Sequence, residues 1–302
     1  MNPADLVYQS NLVGIDEDNR VAMVVGSIPM ALSGYKVIRL KGIPRILVSR
    51  TVKTRPLVSG ISIGHVDITA GTLGWFVEYQ NDTHLLSNAH VFTPEPWSSS
   101  APSAREIIQP GRYDGGTLED TVAYYVKHVP VKLIDVSTCP VSRAWVFIYN
   151  KFAEMFGAKT RIYPVVAVAE DNRVDAAIAY PTSAFKKAVL MDNGTTYTPD
   201  KVVGLLFAGS EVDDIFIACK AKNIEKELGV KFNEDIYEVG IGDRVVKCGR
   251  TTGCTEGEVL STKMKVKVFY GKGFAIFNDV IVVKGKAGGG DSGSLVFPST
   301  SK

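Results

Sequence analysis

Gly288-Gly289-Gly290-Asp291-Ser292-Gly293-Ser294 is the stretch on which the reading of this chain turns. A serine set among glycines stands on backbone free to turn tightly, so its Oγ can be exposed while neighbouring N–H groups face one spot. Acyl transfer needs that arrangement, because its tetrahedral intermediate carries negative charge on the former carbonyl oxygen. An ordinary turn uses the same residues, so the segment gains meaning only with a base and an orienting acid elsewhere. Leu85-Leu86-Ser87-Asn88-Ala89-His90-Val91 offers the base, a histidine just after an apolar strand and one small residue. Asn172-Arg173-Val174-Asp175-Ala176-Ala177-Ile178-Ala179 offers the acid, placed where a small apolar strand would bury the carboxylate beside an imidazole. Taken singly, these are a turn serine, a hydrogen-bonded loop histidine and a capping aspartate. Together, in the order His90, Asp175, Ser292, they match one chain order in which a nucleophile, base and orienting acid work as a unit.

Outward from these segments the pattern is mostly β. Short runs rich in Val, Ile, Phe and Tyr recur between Gly, Pro, Asn and Asp. Strands are predicted at 21–25, 35–40, 46–52, 73–79, 83–88, 122–126, 165–169 and 176–180, then at 202–208, 215–219, 244–248, 257–261, 265–270, 274–283 and 294–297. Two stretches read as helices, 150–156 and about 220–228, the latter with Ile224 and Leu228 at helical spacing. Many short strands and few helices predict a sandwich or a pair of small barrels.

The chain has 302 residues, 45% of them hydrophobic and 22% charged, so it can bury a sizeable core. Its length fits two domains or one large β unit. A net charge of +2 gives no electrostatic footprint for nucleic acid. No run of apolar residues approaches membrane-helix length, and Met1-Asn2-Pro3-Ala4-Asp5 lacks the basic-then-apolar layout of a secretory signal. The expectation is a cytoplasmic protein that uses neither nucleic acid nor membrane. Four cysteines are too few for a disulfide scaffold. Cys139 and Cys219 read as buried apolar residues, and Cys248 and Cys254, flanking Gly249–Gly253, as either a cross-hairpin disulfide or two free thiols. The histidines at 65, 84, 90 and 128 do not cluster with the cysteines, so neither zinc nor another cofactor is expected.

The chain resembles the trypsin-like, chymotrypsin-fold serine peptidases, in particular the non-secreted branch of bacteria, archaea and the plant narrow-leaf protease. The resemblance rests on Thr69-Ala70-Gly71-Thr72-Leu73-Gly74, Leu86–Val91, Ile108-Gln109-Pro110-Gly111 with Asp114-Gly115-Gly116, Val174–Ala179, Lys247-Cys248-Gly249-Arg250-Thr251-Thr252-Gly253 and Gly290–Ser294. It spans about residues 61–297, and nothing in the first 60 matches. It implies two perpendicular six-stranded Greek-key β-barrels, a cleft between them, and hydrolysis of peptide bonds in a polypeptide substrate. The implied domains are an N-terminal β-rich extension (1–60) packed on the barrels, a first barrel (61–185) with His90 and Asp175, and a second (186–302) with Ser292. Carried over residue by residue, Ser292 is the nucleophile, His90 the general base, Asp175 its orienting acid, and the N–H groups of Gly290 and Ser292 the oxyanion hole. Asp120 is the alternative third member. Asp175 is preferred because its surroundings match the family's motif.

The pattern departs from the family in one place. Ten residues follow Ser292 where the usual layout adds two strands and a helix. Val202–Ser210, Ile215–Cys219 and the helix at 220–228 resemble that missing portion but precede the serine. The expectation is a circularly rearranged second barrel, with Phe207, Ala208, Gly209 and Ser210 as the substrate wall. Lys286, six residues before the nucleophile, is the candidate floor of the primary pocket, and a solvated surface lysine otherwise. Asp291 is expected to find an internal cation or backbone donors, with Arg250 as one candidate partner. The alternative to an endopeptidase is a catalytically silent barrel that binds peptides or serves assembly. An α/β esterase is disfavoured because Ser292 lacks the Gly-x-Ser-x-Gly elbow and His90 precedes it.

Overall fold

The computed structural model describes residues 12–16, 21–25, 36–40, 49–134, 140–155, 171–210, 212–271 and 273–299. Two units divide the chain, Met1–Val48 and Ser49–Lys302. The first holds a three-stranded sheet in which β1 (Leu12–Asp16) runs antiparallel to β2 (Val21–Val25), and β2 parallel to β3 (Lys36–Leu40).

The second unit opens with β4 (Leu57–Ser59), which falls within the expected extension and pairs in parallel with β12 (Phe185–Leu190). Then come β5 (Ser62–His65), β6 (Gly71–Thr72), β7 (Trp75–Tyr79), β8 (Asp82–Ser87), β9 (Glu106–Ile108), β10 (Thr121–His128) and β11 (Ala177–Pro181). They form one curled sheet in the order β6-β5-β9-β10-β11-β8-β7. Its two ends, β6 and β7, are separated only by Leu73 and Gly74, whose N–H groups bond Ile61 and Leu86 carbonyls at 2.9 Å each. The half-barrel is therefore turned back on itself by a single bent stretch of chain. Trp75, Phe76, Ile63, Leu85 and Ile178 on its strands are all fully buried.

After the two-residue strands β13 (Thr196–Tyr197) and β14 (Lys201–Val202) the second barrel begins. It contains β15 (Gly204–Ser210), β16 (Ile215–Lys220), β18 (Arg244–Gly249), β19 (Gly253–Phe269), β20 (Phe274–Lys284) and β21 (Leu295–Pro298), while β17 (Asp235–Ile236) pairs with β14 outside it. The ring closes in the order β15-β16-β20-β19-β18-β21. Phe216, Val245, Val259, Val283 and Val296 pack its interior. Each such side chain contributes roughly 1.5–3 kcal/mol by leaving water. Among the described residues the α-helices are α1 (Ala89–Phe92), α2 (Pro140–Met155) and α3 (Ala221–Leu228).

The two barrels share one Greek-key wiring once their strands are counted from different starting points. Numbered along the chain, and with β6 and β7 taken as one bent strand, the first reads 1-2-3-6-5-4 around the ring. The second reads 1-2-5-4-3-6 from β15, and 1-2-3-6-5-4 when counting starts at β18. The hairpin β15–β16 thus occupies the ring positions that would follow the serine, although it precedes it in the chain. The expected rearrangement is present.

Several elements differ from expectation. Residues 49–52 are not a strand, and the run predicted at 165–169 lies outside the described residues, as does Cys139. Runs predicted at 257–261 and 265–270 are one long strand, β19, interrupted by bulges between Val259 and Val266. The helix predicted at 150–156 begins ten residues earlier, at Pro140. Cys248 and Cys254 are joined in a disulfide, facing each other across the β18–β19 hairpin, and Cys219 is free and buried. Among the described residues, no helix is long and apolar enough to cross a membrane.

Candidate active site

β8 ends at Ser87, and Asn88 starts the single helical turn α1 that carries His90. β11 begins beside it, with Ala177 paired to Ser87, so the residues just ahead of β11 lie against α1. Asn88 Nδ2 donates to the Asp175 carbonyl at 2.7 Å and locks the two chain segments together. Asp175 is fully buried and every side of its carboxylate is occupied. Oδ1 accepts from the backbone N–H of Ala89 (2.6 Å) and of His90 (3.3 Å). Oδ2 lies 2.5 Å from His90 Nδ1 and accepts from the Tyr270 hydroxyl at 2.6 Å. Burial works against the charge, but His90, the Tyr270 hydroxyl and the Ala89 N–H outweigh it and hold the carboxyl below the usual carboxylate range. Its backbone N–H donates to Cys219 Sγ at 3.3 Å. Asp120, the alternative, is engaged elsewhere: it caps a 3-10 turn through Thr117 and pairs with Lys53 at 2.8 Å.

The serine turn sits where the barrels meet. Gly290 and Gly293 have φ of +95° and +96°, a region that side-chain-bearing residues rarely adopt. A Cβ on Gly293 would also fall 2.3 Å from both Ser87 Oγ and the Thr72 carbonyl, so the turn lies flush on the first barrel. Thr72 fastens it there: its N–H donates to the Ser292 carbonyl and its Oγ1 to the Gly290 carbonyl, both at 2.8 Å. On the other side Gly293 N–H donates to the Leu206 carbonyl at 2.8 Å, tying the turn to β15. Ser292 stands close to the histidine segment, since a Cβ on Gly71 would lie 2.5 Å from Val91 Cγ2 and 3.1 Å from the Ser292 carbonyl oxygen. Its hydroxyl donates to the Phe207 carbonyl at 3.4 Å, and among the described residues no hydrogen bond joins it to His90. The N–H groups of Gly290 and Ser292 have no protein acceptor among the described residues.

Asp291 fixes the turn from behind. It is fully buried and accepts from Lys247 Nζ (2.8 Å), Thr251 N–H (2.8 Å), Thr252 N–H (3.1 Å), Thr252 Oγ1 (2.6 Å) and Gly288 N–H (3.0 Å). Burial raises the cost of its charge, but the Lys247 ammonium, the Thr252 hydroxyl and the Gly288 N–H together outweigh this and keep the carboxyl below its ordinary range. The partner expected for Asp291, Arg250, is not the one found. Arg250 lies in the turn after β18 and reaches outward to Asp114, with Nε–Oδ2 at 2.6 Å and Nη2–Oδ1 at 2.5 Å. Lys247, on the strand itself, points into the barrel and supplies the cation.

Phe207, Ala208, Gly209 and Ser210 continue β15 beyond its pairing with β21, which stops at Leu205. Beyond Leu206 the outer edge of this strand is unpaired among the described residues, beside Ser292. Ser210 Oγ donates to Asp213 at 2.7 Å. Lys286 is exposed, and its carbonyl accepts from Thr255 Oγ1 at 2.8 Å while its neighbour Ala287 packs into the barrel core. Two residues at the site were not read from the sequence, Tyr270 and Lys247. Lys247 carried one signal, an inward position in the alternation of β18; Tyr270 carried none. No group of His, Cys, Asp and Glu among the described residues is arranged to hold a metal ion.

No family model matches the chain, and no curated protein matches it. Solved structures of proteases are among those that match. A Nocardiopsis protease has TM-score 0.40 and 12% identity over 80% of this chain and 79% of that one. Thermobifida fusca protease A has TM-score 0.36 and 12% identity over 81% and 91%. A glutamic acid specific serine protease has TM-score 0.38 and 13% identity over 81% and 94%.

Proposed function

We propose that this chain is a serine endopeptidase working through Ser292, His90 and Asp175. The observation that carries the reading is the fully enclosed Asp175 carboxylate at 2.5 Å from His90 Nδ1, with a glycine-flanked serine against the same segment of chain. In the proposed reaction His90 Nε2 takes the Ser292 proton as Oγ bonds to the scissile carbonyl carbon. The carbonyl electron pair moves onto oxygen, where the N–H groups of Gly290 and Ser292 receive it. Collapse expels the amine, which takes the proton from His90 and leaves an acyl-serine. Water, deprotonated by the same imidazole, then releases the acid and restores Oγ–H. Asp175 keeps the imidazole in the tautomer that presents Nε2 and stabilises the cation it becomes. The free edge at Phe207–Ser210 suits an extended polypeptide substrate, which would add to it as an antiparallel strand; Lys286 stands in solvent and is kept as a candidate for substrate contact.

A second reading, a silent barrel that binds peptides, draws on the Ser292 hydroxyl bonding Phe207 and not His90. A fluorophosphonate probe separates the two. Labelling of the intact chain is expected at Ser292 and is lost in Ser292→Ala and His90→Ala; peptide turnover falls by up to ~10⁶-fold in either. Asp175→Asn is expected to lower turnover roughly 10⁴-fold by favouring the wrong tautomer. An unlabelled native chain would favour the binding reading.

A further inference from the structure

The β19–β20 hairpin is longer than the barrel that it belongs to. β18 pairs with β19 only as far as Glu258, and β16 with β20 only from Ile281, yet β19 and β20 remain paired out to Phe269 and Phe274. The part beyond the ring crosses to the first barrel and is bound there along its length. Ile134 N–H donates to the Phe274 carbonyl (2.7 Å), and both the N–H and Nδ2 of Asn172 donate to the Ile276 carbonyl (2.9 and 3.0 Å). Asn278 N–H donates to the Asn172 carbonyl (2.8 Å), and Lys265 pairs with Asp171 (2.8 Å). The tip turns at Tyr270, whose N–H donates to the Gly273 carbonyl at 2.8 Å. Its ring lies parallel to Phe277 and edge-on to His90, with centroids 5.9 and 6.0 Å away. Its hydroxyl ends on Asp175 Oδ2, the oxygen that faces His90.

We propose that Tyr270 is a positioning residue for the His90–Asp175 pair, a phenol carried across from the second barrel that holds the acid's Oδ2 aimed at the imidazole. The proposal rests on the serine-peptidase reading and adds to it a residue outside the three that do the chemistry. A carboxylate can rotate about its Cβ–Cγ bond, and Oδ1 alone is fixed by backbone donors of the first barrel. The phenol fixes Oδ2 and takes part of its charge, so Asp175 orients His90 without fully neutralising the imidazolium. Burial and the adjacent carboxylate push the Tyr270 hydroxyl well above its ordinary range, so it remains a donor wherever Asp175 is ionised. The titratable groups facing Asp175 are His90 on α1, Tyr270 in the turn after β19 and Cys219 on β16, with His128 on β10 acting at longer range.

The test is Tyr270→Phe in the full chain, which removes one oxygen and keeps the ring, beside Tyr270→Ala, which removes both. In the Phe variant the plateau rate of fluorophosphonate labelling is expected to fall about 10-fold, as for loss of a hydrogen bond to a charged group. The acidic limb of the labelling rate moves to higher pH by about half a unit, because the undivided carboxylate charge attracts the protonated imidazole more strongly. Thermal stability falls slightly in Tyr270→Phe, for the loss of one donor to a buried carboxylate, and much further in Tyr270→Ala. A second readout needs no catalysis: the downfield NMR resonance of His90 Nδ1–H, assigned by its loss in His90→Ala, is expected to move further downfield in the Phe variant. An unchanged labelling profile with an unmoved resonance would overturn the assignment. A native chain that fails to label while its resonance still responds to Tyr270→Phe would sink the peptidase reading and leave Tyr270 in place.

Discussion

Lys247 and Asp291 are both wholly enclosed, and neither has water to fall back on. A buried pair of this kind gains little over an apolar pair of the same shape, but losing one member leaves the other uncompensated. Lys247→Met is therefore expected to destabilise the barrel unit by about 3–5 kcal/mol, measured by urea denaturation. It should also depress labelling at Ser292, since Asp291 anchors the turn through Thr251, Thr252 and Gly288. A loss below about 1 kcal/mol would show that the backbone donors alone hold the carboxylate. The sequence marked Asp291 as needing a cation but pointed to Arg250, three residues too far along. The alternation of β18 decides the matter: odd positions face inward, so Val245 and Lys247 enter the barrel while residue 250 has already left the strand. His90, Asp175 and Ser292 were legible because each stands in a short local motif. Tyr270 was not, because what aims it is the length of a hairpin and the bulges along it, and no local pattern of residues encodes that.

At the scale of elements, the stretch from β6 to β7 is gripped from both sides, by the serine turn and by β15. Gly74 runs beneath the serine turn, and a Cβ there would lie 2.3 Å from the Gly293 carbonyl and 2.6 Å from Leu205 Cδ2. Gly74→Ala must push the first barrel away from both β15 and the turn. Overpacking of this kind is expected to cost about 3 kcal/mol in thermal or urea unfolding, with labelling of Ser292 reduced alongside. Unaltered stability and labelling would mean that the barrels separate more easily than these contacts imply. Strand existence was readable from alternation and turn residues, and boundaries were not. Thr262-Lys263-Met264 looks like a turn between two runs because polar residues interrupt the apolar ones. In the structure these residues sit on a bulged strand outside the ring, where solvent accepts polar side chains. At 146–149 the run Val-Phe-Ile-Tyr hides a helix, since β-branched and aromatic residues favour strands on propensity alone.

The whole molecule shows that ring order and chain order are separable. β15 lies antiparallel to β21, with Gly204 opposite Val296, so Lys201 is a short hairpin away from Ser299. Asp235 N–H bonds the Asp200 carbonyl at 3.1 Å, which brings the far side of the segment 201–234 back to its start. A chain in which 201–234 is moved to follow Ser299 through a linker of about four residues, with Asp200 rejoined to Asp235, should therefore fold. It would give the second barrel the chain order of the first. Its melting temperature is expected within a few degrees of the native chain, with Ser292 still labelled, and a permutant that fails to fold would show that the native order matters beyond wiring. This architecture was legible because strand runs and the serine motif fixed which segments had to meet. Residues 1–60 gave no motif, so nothing in them could be placed in the same way.

The order of the strands also sets a sequence of events during synthesis. As the nascent chain leaves the ribosome, β15 emerges first among the strands of its ring and β21 last, and the hydroxyl at 292 arrives only just ahead of the strand that shuts the ring. The wall that would grip a polypeptide is thus waiting well before the nucleophile exists. No growing intermediate shorter than that final strand can carry both an assembled cleft and the group that attacks within it, so under the proposed reading cleavage is deferred until the fold around it is complete.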